Sequence, residues 1–194
     1  QDLLFQGGWL RQPESLEGDP HWEMHEFPFA PGQGGAHMHV YDFDGDGLND
    51  VVTSLEAHGY GLSWYEQVRD DAGKISFREH KILGRTPEEN PHGICFTQMH
   101  SIDLADIDGD GLLDIVTGKR FWAHNGGDPD ARSPAVLYWF RTVRDANGSV
   151  EFEPNLIDDD SGVGTQVIAG DISGDGRPDV VVGNKKGTHV FVQQ

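Results

Sequence analysis

Alternating apolar and polar residues precede a nine-residue acidic segment three times in this chain, at His37–Asp42 (HMHVYD), Ser101–Asp106 (SIDLAD) and Gln166–Asp171 (QVIAGD). A β-branched run follows each one, at Asp50–Ser54 (DVVTS), Asp114–Gly118 (DIVTG) and Asp179–Gly183 (DVVVG). A third stretch rich in aromatic and branched residues comes next: GLSWYEQV, AVLYWFRTV or GTHVFVQ. A fourth, ISFREHKIL or VEFEPNLI, completes two of the units. Period-two patterning with Val, Ile, Tyr, Phe and Trp predicts half-buried strands. The turn sequences RDDAGK and RDANGS predict hairpins between the third and fourth strands. No segment carries a long helical period. The expected class is all-β, each unit being a blade of about four antiparallel strands, as in a β-propeller.

The acidic segments are near copies, DFDGDGLND from Asp42, DIDGDGLLD from Asp106 and DISGDGRPD from Asp171, with first residues 64 and 65 positions apart. A constant period marks a repeat architecture. The opening residues echo the same order: Asp2-Leu-Leu-Phe5 matches the β-branched run, Gly8-Trp-Leu10 the third strand and His21–Phe27 the fourth. The expected organisation is one propeller segment. An incomplete blade at 1–29 (strands two to four) precedes whole blades at 30–90 and 91–160 and an incomplete blade at 161–194 (strands one to three). Closed propellers have roughly 4–8 blades. The remaining blades, about seven in all, are expected from a longer chain or, less simply, from another copy.

Charge narrows the partners. The chain has 14 Lys+Arg against 33 Asp+Glu, a formal charge of −19. Nucleic acid is disfavoured, since binding it rests on phosphate neutralisation by cations, and so are anionic membranes. No apolar run reaches the roughly 18 residues of a membrane-spanning helix. At 36% hydrophobic and 10% aromatic the chain is too apolar for a disordered acidic tail. A single cysteine, Cys95, rules out a disulfide framework and a cysteine zinc motif.

The acidic segments fit calcium, which takes six to eight oxygens. Positions one, three, five and nine supply side chains: Asp42, Asp44, Asp46 and Asp50; Asp106, Asp108, Asp110 and Asp114; Asp171, Ser173, Asp175 and Asp179. Position seven supplies a carbonyl, from Leu48, Leu112 or Arg177, and the glycine at position six permits a sharp turn. Three Ca2+ sites are therefore expected, the third weaker because Ser173 replaces an aspartate. An EF-hand needs a glutamate at position twelve and flanking helices; here the ninth-position Asp leads straight into a strand. A catalytic acid pair needs carboxylates in distinct environments, whereas these three copies are nearly identical. The remaining alternative is a solvated acidic turn without metal.

An Asp-x-Asp-Gly-Asp-Gly-x-x-Asp segment between two strands, at about this period, resembles the FG-GAP or VCBS repeats. That resemblance implies calcium-binding β-propeller blades, such as those of integrin α-chain heads. Val116-Thr-Gly-Lys-Arg-Phe-Trp-Ala-His124 looks like segments of bacterial VCBS propellers related to aldos-2-ulose dehydratase. This narrower resemblance implies a seven-bladed ring and metal-assisted lyase or isomerase chemistry on keto-sugars. Calcium sites of this type suit an extracellular or periplasmic location.

Activity is expected at the opposite end of the blades. Starts of first strands bring His37, His39, His92 and His100 there. Loops after second strands bring Glu56 and His58; Lys119, Arg120, Phe121, Trp122 and His124; and Asn184, Lys185 and Lys186. His37 and His39 share a strand face, and His58 or His100 could complete a metal set. Each histidine alone is more simply a packing residue, and Trp64, Tyr65, Tyr138, Trp139 and Phe140 are most simply core. His21, His25, His80 and His189 have no clear partner in the sequence. Two functions follow. One is a binding or scaffold module for a carbohydrate or protein ligand. The other is a lyase or isomerase with a further divalent metal, Zn2+ or Mg2+, at a His cluster. That metal would polarise a sugar carbonyl while a second histidine removes the neighbouring proton and Lys119 or Arg120 steadies the developing charge. Candidate catalytic residues are His39, His58, His100, Lys119, Arg120 and His124.

Overall fold

The structure, a computed structural model, describes residues 1–31 and 33–194. It contains fourteen strands among these residues. The first three, β1 (Leu3–Phe5), β2 (Gly8–Arg11) and β3 (Glu23–Glu26), form one antiparallel sheet in that order. β4 (Met38–Tyr41), β5 (Asp50–Ser54), β6 (Leu62–Arg69) and β7 (Ile75–Leu83) form a four-stranded sheet. β8 (Ile102–Ala105), β9 (Asp114–Gly118), β10 (Leu137–Arg144) and β11 (Val150–Asp158) form another. A last three-stranded sheet holds β12 (Val167–Gly170), β13 (Asp179–Asn184) and β14 (Gly187–Phe191). Sequential antiparallel pairing within each sheet makes these propeller blades. The two four-stranded blades share a detail: both third–fourth pairings shift register at the first pair, between Leu62 and Ser63 and between Leu137 and Tyr138.

The core lies between blades. Phe43, Val52, Leu62, Trp64 and Leu83 of the β4–β7 blade pack with Met99, Ile102, Ile115, Phe140 and Phe152 of the next. Val116, Leu137, Val163, Val180 and Val182 join the third and fourth sheets. Trp9, Phe29, Val51 and Tyr65 join the first and second. A strand inside such a stack is covered on both faces, which is why β5 and β9 are buried at every position and their sequences run almost unbroken in β-branched residues. Trp64, Tyr65 and Phe140 are core, with Tyr138 and Trp139 packed against it. Histidines without an evident partner in the sequence acquire one: His25 stacks on Trp9 at 4.8 Å, and His80 stacks on Trp64 at 4.4 Å while bonding Glu66 at 2.7 Å.

Candidate functional site

Each acidic segment is the turn between the first and second strands of its blade. Its shape is set by the carboxylate at position one, which accepts the amides of both turn glycines, and at Asp171 that of Asp175 as well. Asp42 takes those of Gly45 (2.7 Å) and Gly47 (3.0 Å), Asp106 those of Gly109 (2.8 Å) and Gly111 (3.0 Å), and Asp171 those of Gly174 (2.6 Å) and Gly176 (3.0 Å). The position-seven amides of Leu48, Leu112 and Arg177 donate to Asp46, Asp110 and Asp175. Position nine does something that spacing does not reveal. Asp50 is fully buried and accepts the Phe43 amide (3.1 Å), the Gln67 amide (2.9 Å) and the Trp64 indole N–H (2.9 Å). It ties turn, second strand and third strand together. Asp114 does the same with Ile107 and Thr142, and Asp179 with Ile172, Ser173 and Gln193.

Burial pushes the Asp50 carboxyl up to about 6, against the downward pull of its three donors. Asp114 is pushed to about 6 in the same way, against the Thr142 and Ile107 amides. Asp44 is also raised, by burial and by the nearby charges of Asp46 and Asp42. At Asp179 burial again raises the pKa, but the Ser173, Gln193 and Ile172 amides outweigh it and the net shift is downward.

The three turns differ as metal sites. Carboxylate oxygens of Asp42, Asp44 and Asp50 lie within 4.8 Å of one another, as do those of Asp106, Asp108 and Asp114. Both sets are hard oxygen donors of the kind calcium takes. No such triad forms among the described residues of the third turn, where Arg177 instead pairs with Asp175 at 2.5 Å. The second turn carries a competing cation: Arg141 meets Asp108 at 2.5 Å and Asp110 at 3.4 Å. Arg141 and Arg144 lie three apart on β10 and so face opposite sides of the strand. Arg141 reaches its own blade's turn, whereas Arg144 crosses to the neighbouring one and donates to the Phe43 carbonyl at 3.3 Å. Glycine suits position 45 because the backbone there has φ 79°, and a Cβ would also displace the Arg144 guanidinium, 2.6 Å away.

At the other end, three segments converge: the loop after β5, the approach to β8, and the long loop between β9 and β10. Asp128 accepts a hydrogen bond at each oxygen, from His58 Nδ1 at 3.1 Å and His124 Nδ1 at 3.0 Å. The two imidazoles stack, with centroids 4.5 Å apart and planes at 30°. His100 stands edge-on to His58 at 5.1 Å. Burial raises the Asp128 pKa, but the two histidine hydrogen bonds lower it further, so it is held below the usual range. His100 is held low by burial and by the charges of Arg120 and His58. Gln98 locks the segments together. Its amide donates to the Gly59 carbonyl (2.8 Å), its carbonyl accepts from Arg120 N–H (2.9 Å), and its side chain donates to the Pro129 carbonyl (3.2 Å). Tyr60 donates to the Asp130 carboxylate. Gln98, Trp122, His124, Asn125 and Asp130 all have positive φ, and these are the only non-glycine residues among those described that do.

Of the six candidate catalytic residues, the fold brings His58, His100 and His124 together and leaves Arg120 close to His100. Two are placed otherwise. His39 Nε2 donates to the Ile102 carbonyl at 2.8 Å, and His37 Nδ1 lies 3.1 Å from the same oxygen, so this pair staples two blades rather than meeting His58. Lys119 is buried and donates to the Ser133 carbonyl at 3.0 Å, which removes it from contact with a bound molecule. Glu56 is paired with Arg85 and His92 with Glu151. Asp128 escaped the sequence reading. The Asn125–Asp130 run reads as turn punctuation, and the His58 partner lies 70 residues away. The same β9–β10 loop that carries His124 also contributes Phe121, Trp122 and Arg132 to a cleft of about 570 Å³, lined as well by Asp160 and Lys186. Lys186 Nζ sits 4.7 Å over the Phe121 ring and pairs with Asp160.

Stacked antiparallel blades, each with an acidic turn between its first and second strands in the second to fourth sheets, define the class, and family comparison agrees. Residues 42–117 match the FG-GAP-like repeat and residues 163–191 the FG-GAP repeat. The chain therefore carries FG-GAP repeats arranged as propeller blades. Comparison with curated proteins gave no match. No helix among the described residues is long and apolar enough to cross a membrane.

Proposed function

We propose that this FG-GAP segment is a calcium-fastened binding module whose loop face, opposite the acidic turns, holds a glycan or a protein partner. One observation carries the reading: the positive-φ non-glycine residues gather on that face, in a chain whose turns otherwise use glycine. Strained backbone persists where function maintains it. The cleft that shares Trp122 with this set offers Phe121 and Trp122 with Arg132 and Lys186, a pairing of rings and cations suited to sugar stacking with hydrogen bonding. Calcium at the first two turns would be held by Asp42, Asp44 and Asp50 and by Asp106, Asp108 and Asp114, with Asp46, Asp110 and the position-seven carbonyls of Leu48 and Leu112 completing the shell. The third turn is the weak one. FG-GAP repeats are typical of extracellular proteins, which supports an extracellular or periplasmic location where calcium is abundant. Affinity electrophoresis through gels containing neutral or acidic polysaccharides tests the glycan reading. Retardation that disappears in Trp122→Ala is expected. Unretarded migration in every gel would turn the search to protein partners.

A second reading is a metal-assisted sugar lyase or isomerase of the aldos-2-ulose dehydratase type. The His58–His124–Asp128 cluster beside His100 favours it, with Arg120 as the cation near the reacting group. Turnover of a keto-sugar, lost in His100→Ala, would separate it from the module.

A further inference from the structure

We propose that the third-strand residue facing each acidic turn sets that turn's demand for a cation, so that the first turn, facing Glu66, takes calcium more tightly than the second, facing Arg141. On the calcium reading of these turns, which this grading presupposes, one fastener answers to calcium while its repeat carries a counter-ion of its own. All four sheets place this residue alike. Val51 pairs with Tyr65, Ile115 with Phe140, Val180 with Phe191 and Leu3 with Leu10. One step further along each ladder, the position-nine Asp50 comes opposite Glu66, Asp114 opposite Arg141, Asp179 opposite Val192, and their counterpart Asp2 opposite Arg11. The following amide fixes the register, since Gln67, Thr142, Gln193 and Gln12 each donate theirs to that aspartate. Of these four facing residues, Glu66 alone is acidic.

Charge at this position acts directly on the turn. Arg141 puts a guanidinium on two carboxylates of the second turn, Asp108 and Asp110. A calcium ion there must displace that cation or be repelled by it. Glu66 does the reverse. It lines one cleft of about 810 Å³ with Asp44 and Asp46. Its charge joins those of Asp46 and Asp42 on the Asp44 carboxyl, which burial already raises. Calcium affinity rises with the negative charge gathered around the ion, so the first turn gains where the second loses. Glu66 is held in place by His80 Nε2 at 2.7 Å and Arg78 Nη1 at 2.9 Å. The Arg78 side chain is largely exposed, and solvent screens its charge. A surface ion pair alone would account for Glu66 and Arg78. It would not account for the opposite charge standing at the same place against the next turn. Val192 leaves the third turn neutral here, and there Arg177 already engages Asp175.

Calorimetric titration of the full chain with Ca2+ tests the grading. Asp175→Ala silences the third turn throughout, and Asp108→Ala or Asp44→Ala silences the second or the first. The first turn alone should bind about 5–25-fold more tightly than the second alone, the range for one or two half-exposed charge contacts. With the second turn silenced, Glu66→Gln should weaken binding by up to about fivefold and Glu66→Arg by about 5–25-fold. With the first silenced, Arg141→Glu should tighten it by a similar factor. Combining Glu66→Arg with Arg141→Glu should reverse the order of the two turns. Melting in calcium verifies folding, and the near-isosteric Glu66→Gln carries the test if Glu66→Arg does not fold. Equal affinity at the two turns, or affinities unmoved by Glu66→Gln and Arg141→Glu in folded protein, would overturn the grading and leave the calcium reading standing. No Ca2+ binding by the parent chain would overturn both.

Discussion

The two ends of the blades reach left-handed backbone by opposite means. In the acidic turns every residue with positive φ is a glycine: Gly45 and Gly47, Gly109 and Gly111, Gly174 and Gly176. Glycine takes that conformation without a steric penalty, so the turns are easy for the backbone and difficult only for the charges crowded onto them. On the calcium reading proposed above, a cation would resolve that difficulty from outside. At the loop end Gln98, Trp122, His124, Asn125 and Asp130 adopt the same region with side chains attached, alongside glycines such as Gly126 and Gly162. There Asp128 already has hydrogen-bond partners in two imidazoles, and the cost is in the backbone. The contrast separates a fastening device, copied at each repeat, from a site built once.

Calcium removal should produce the largest effect. A ligand at about 1,000 times its Kd stabilises by roughly 4 kcal/mol per site, and a domain of this size shifts by about 2–4 °C per kcal/mol. Chelation should therefore lower the Tm by on the order of 10 °C or more, followed by circular dichroism. An unchanged melt would erase the contrast by making the turns simple solvated loops. Asp50→Ala comes next. It strands three buried donors, from Phe43, Gln67 and Trp64, and should cost roughly 3 kcal/mol or more in denaturant unfolding. Trimming the exposed His124 should cost under about 1 kcal/mol.

The chelated protein should show an inverted pH dependence. Asp50 and Asp114 are raised from 3.8 to about 6 when folded. Their contribution is fully present below the unfolded value and is lost as pH rises through the folded one. Metal-free protein should thus gain stability from these two groups on going from pH 7 to pH 5. His100, held low by burial, opposes them with one group against two. The lowered carboxylates such as Asp158 and Asp179 act only below the ordinary carboxylate range. A melt that falls steadily on acidification without metal would contradict this assignment.

Arg141→Ala should tighten calcium at the second turn by up to about fivefold, since half-exposed ion pairs contribute roughly 0.2–1 kcal/mol; calorimetry on the variant decides. The smallest effects form a matched pair. Gly47→Ala, where a Cβ would meet nothing within 4 Å, isolates conformational strain and should cost about 1 kcal/mol. Asn125→Gly should gain under 1 kcal/mol. Equal and negligible changes at both would dissolve the distinction between the two ends.

Much of this was legible before folding. The third strand predicted from GLSWYEQV begins and ends one residue before β6, and the fourth, ISFREHKIL, matches β7 end to end. Both succeed because strand patterning and turn chemistry are local. The acidic turns were legible for the same reason, since all their candidate ligands lie within nine residues. The loop face was legible only as a gathering of residue types. His58, His100 and His124 were identifiable, while His39 and Lys119 were misplaced. Their hydrogen bonds go to backbone carbonyls, of Ile102 and Ser133, and every residue offers one of those.

Local pattern and period therefore suffice for the blade, its strand order and the fastening turns, because each needs only neighbours along the chain. Which carboxylate lies between His58 and His124, which arginine of β10 crosses to the next blade, and where left-handed backbone is forced on ordinary residues depend on how one blade stacks on another. That stacking brings together groups about 70 residues apart, and its register is set by the packed core between the sheets.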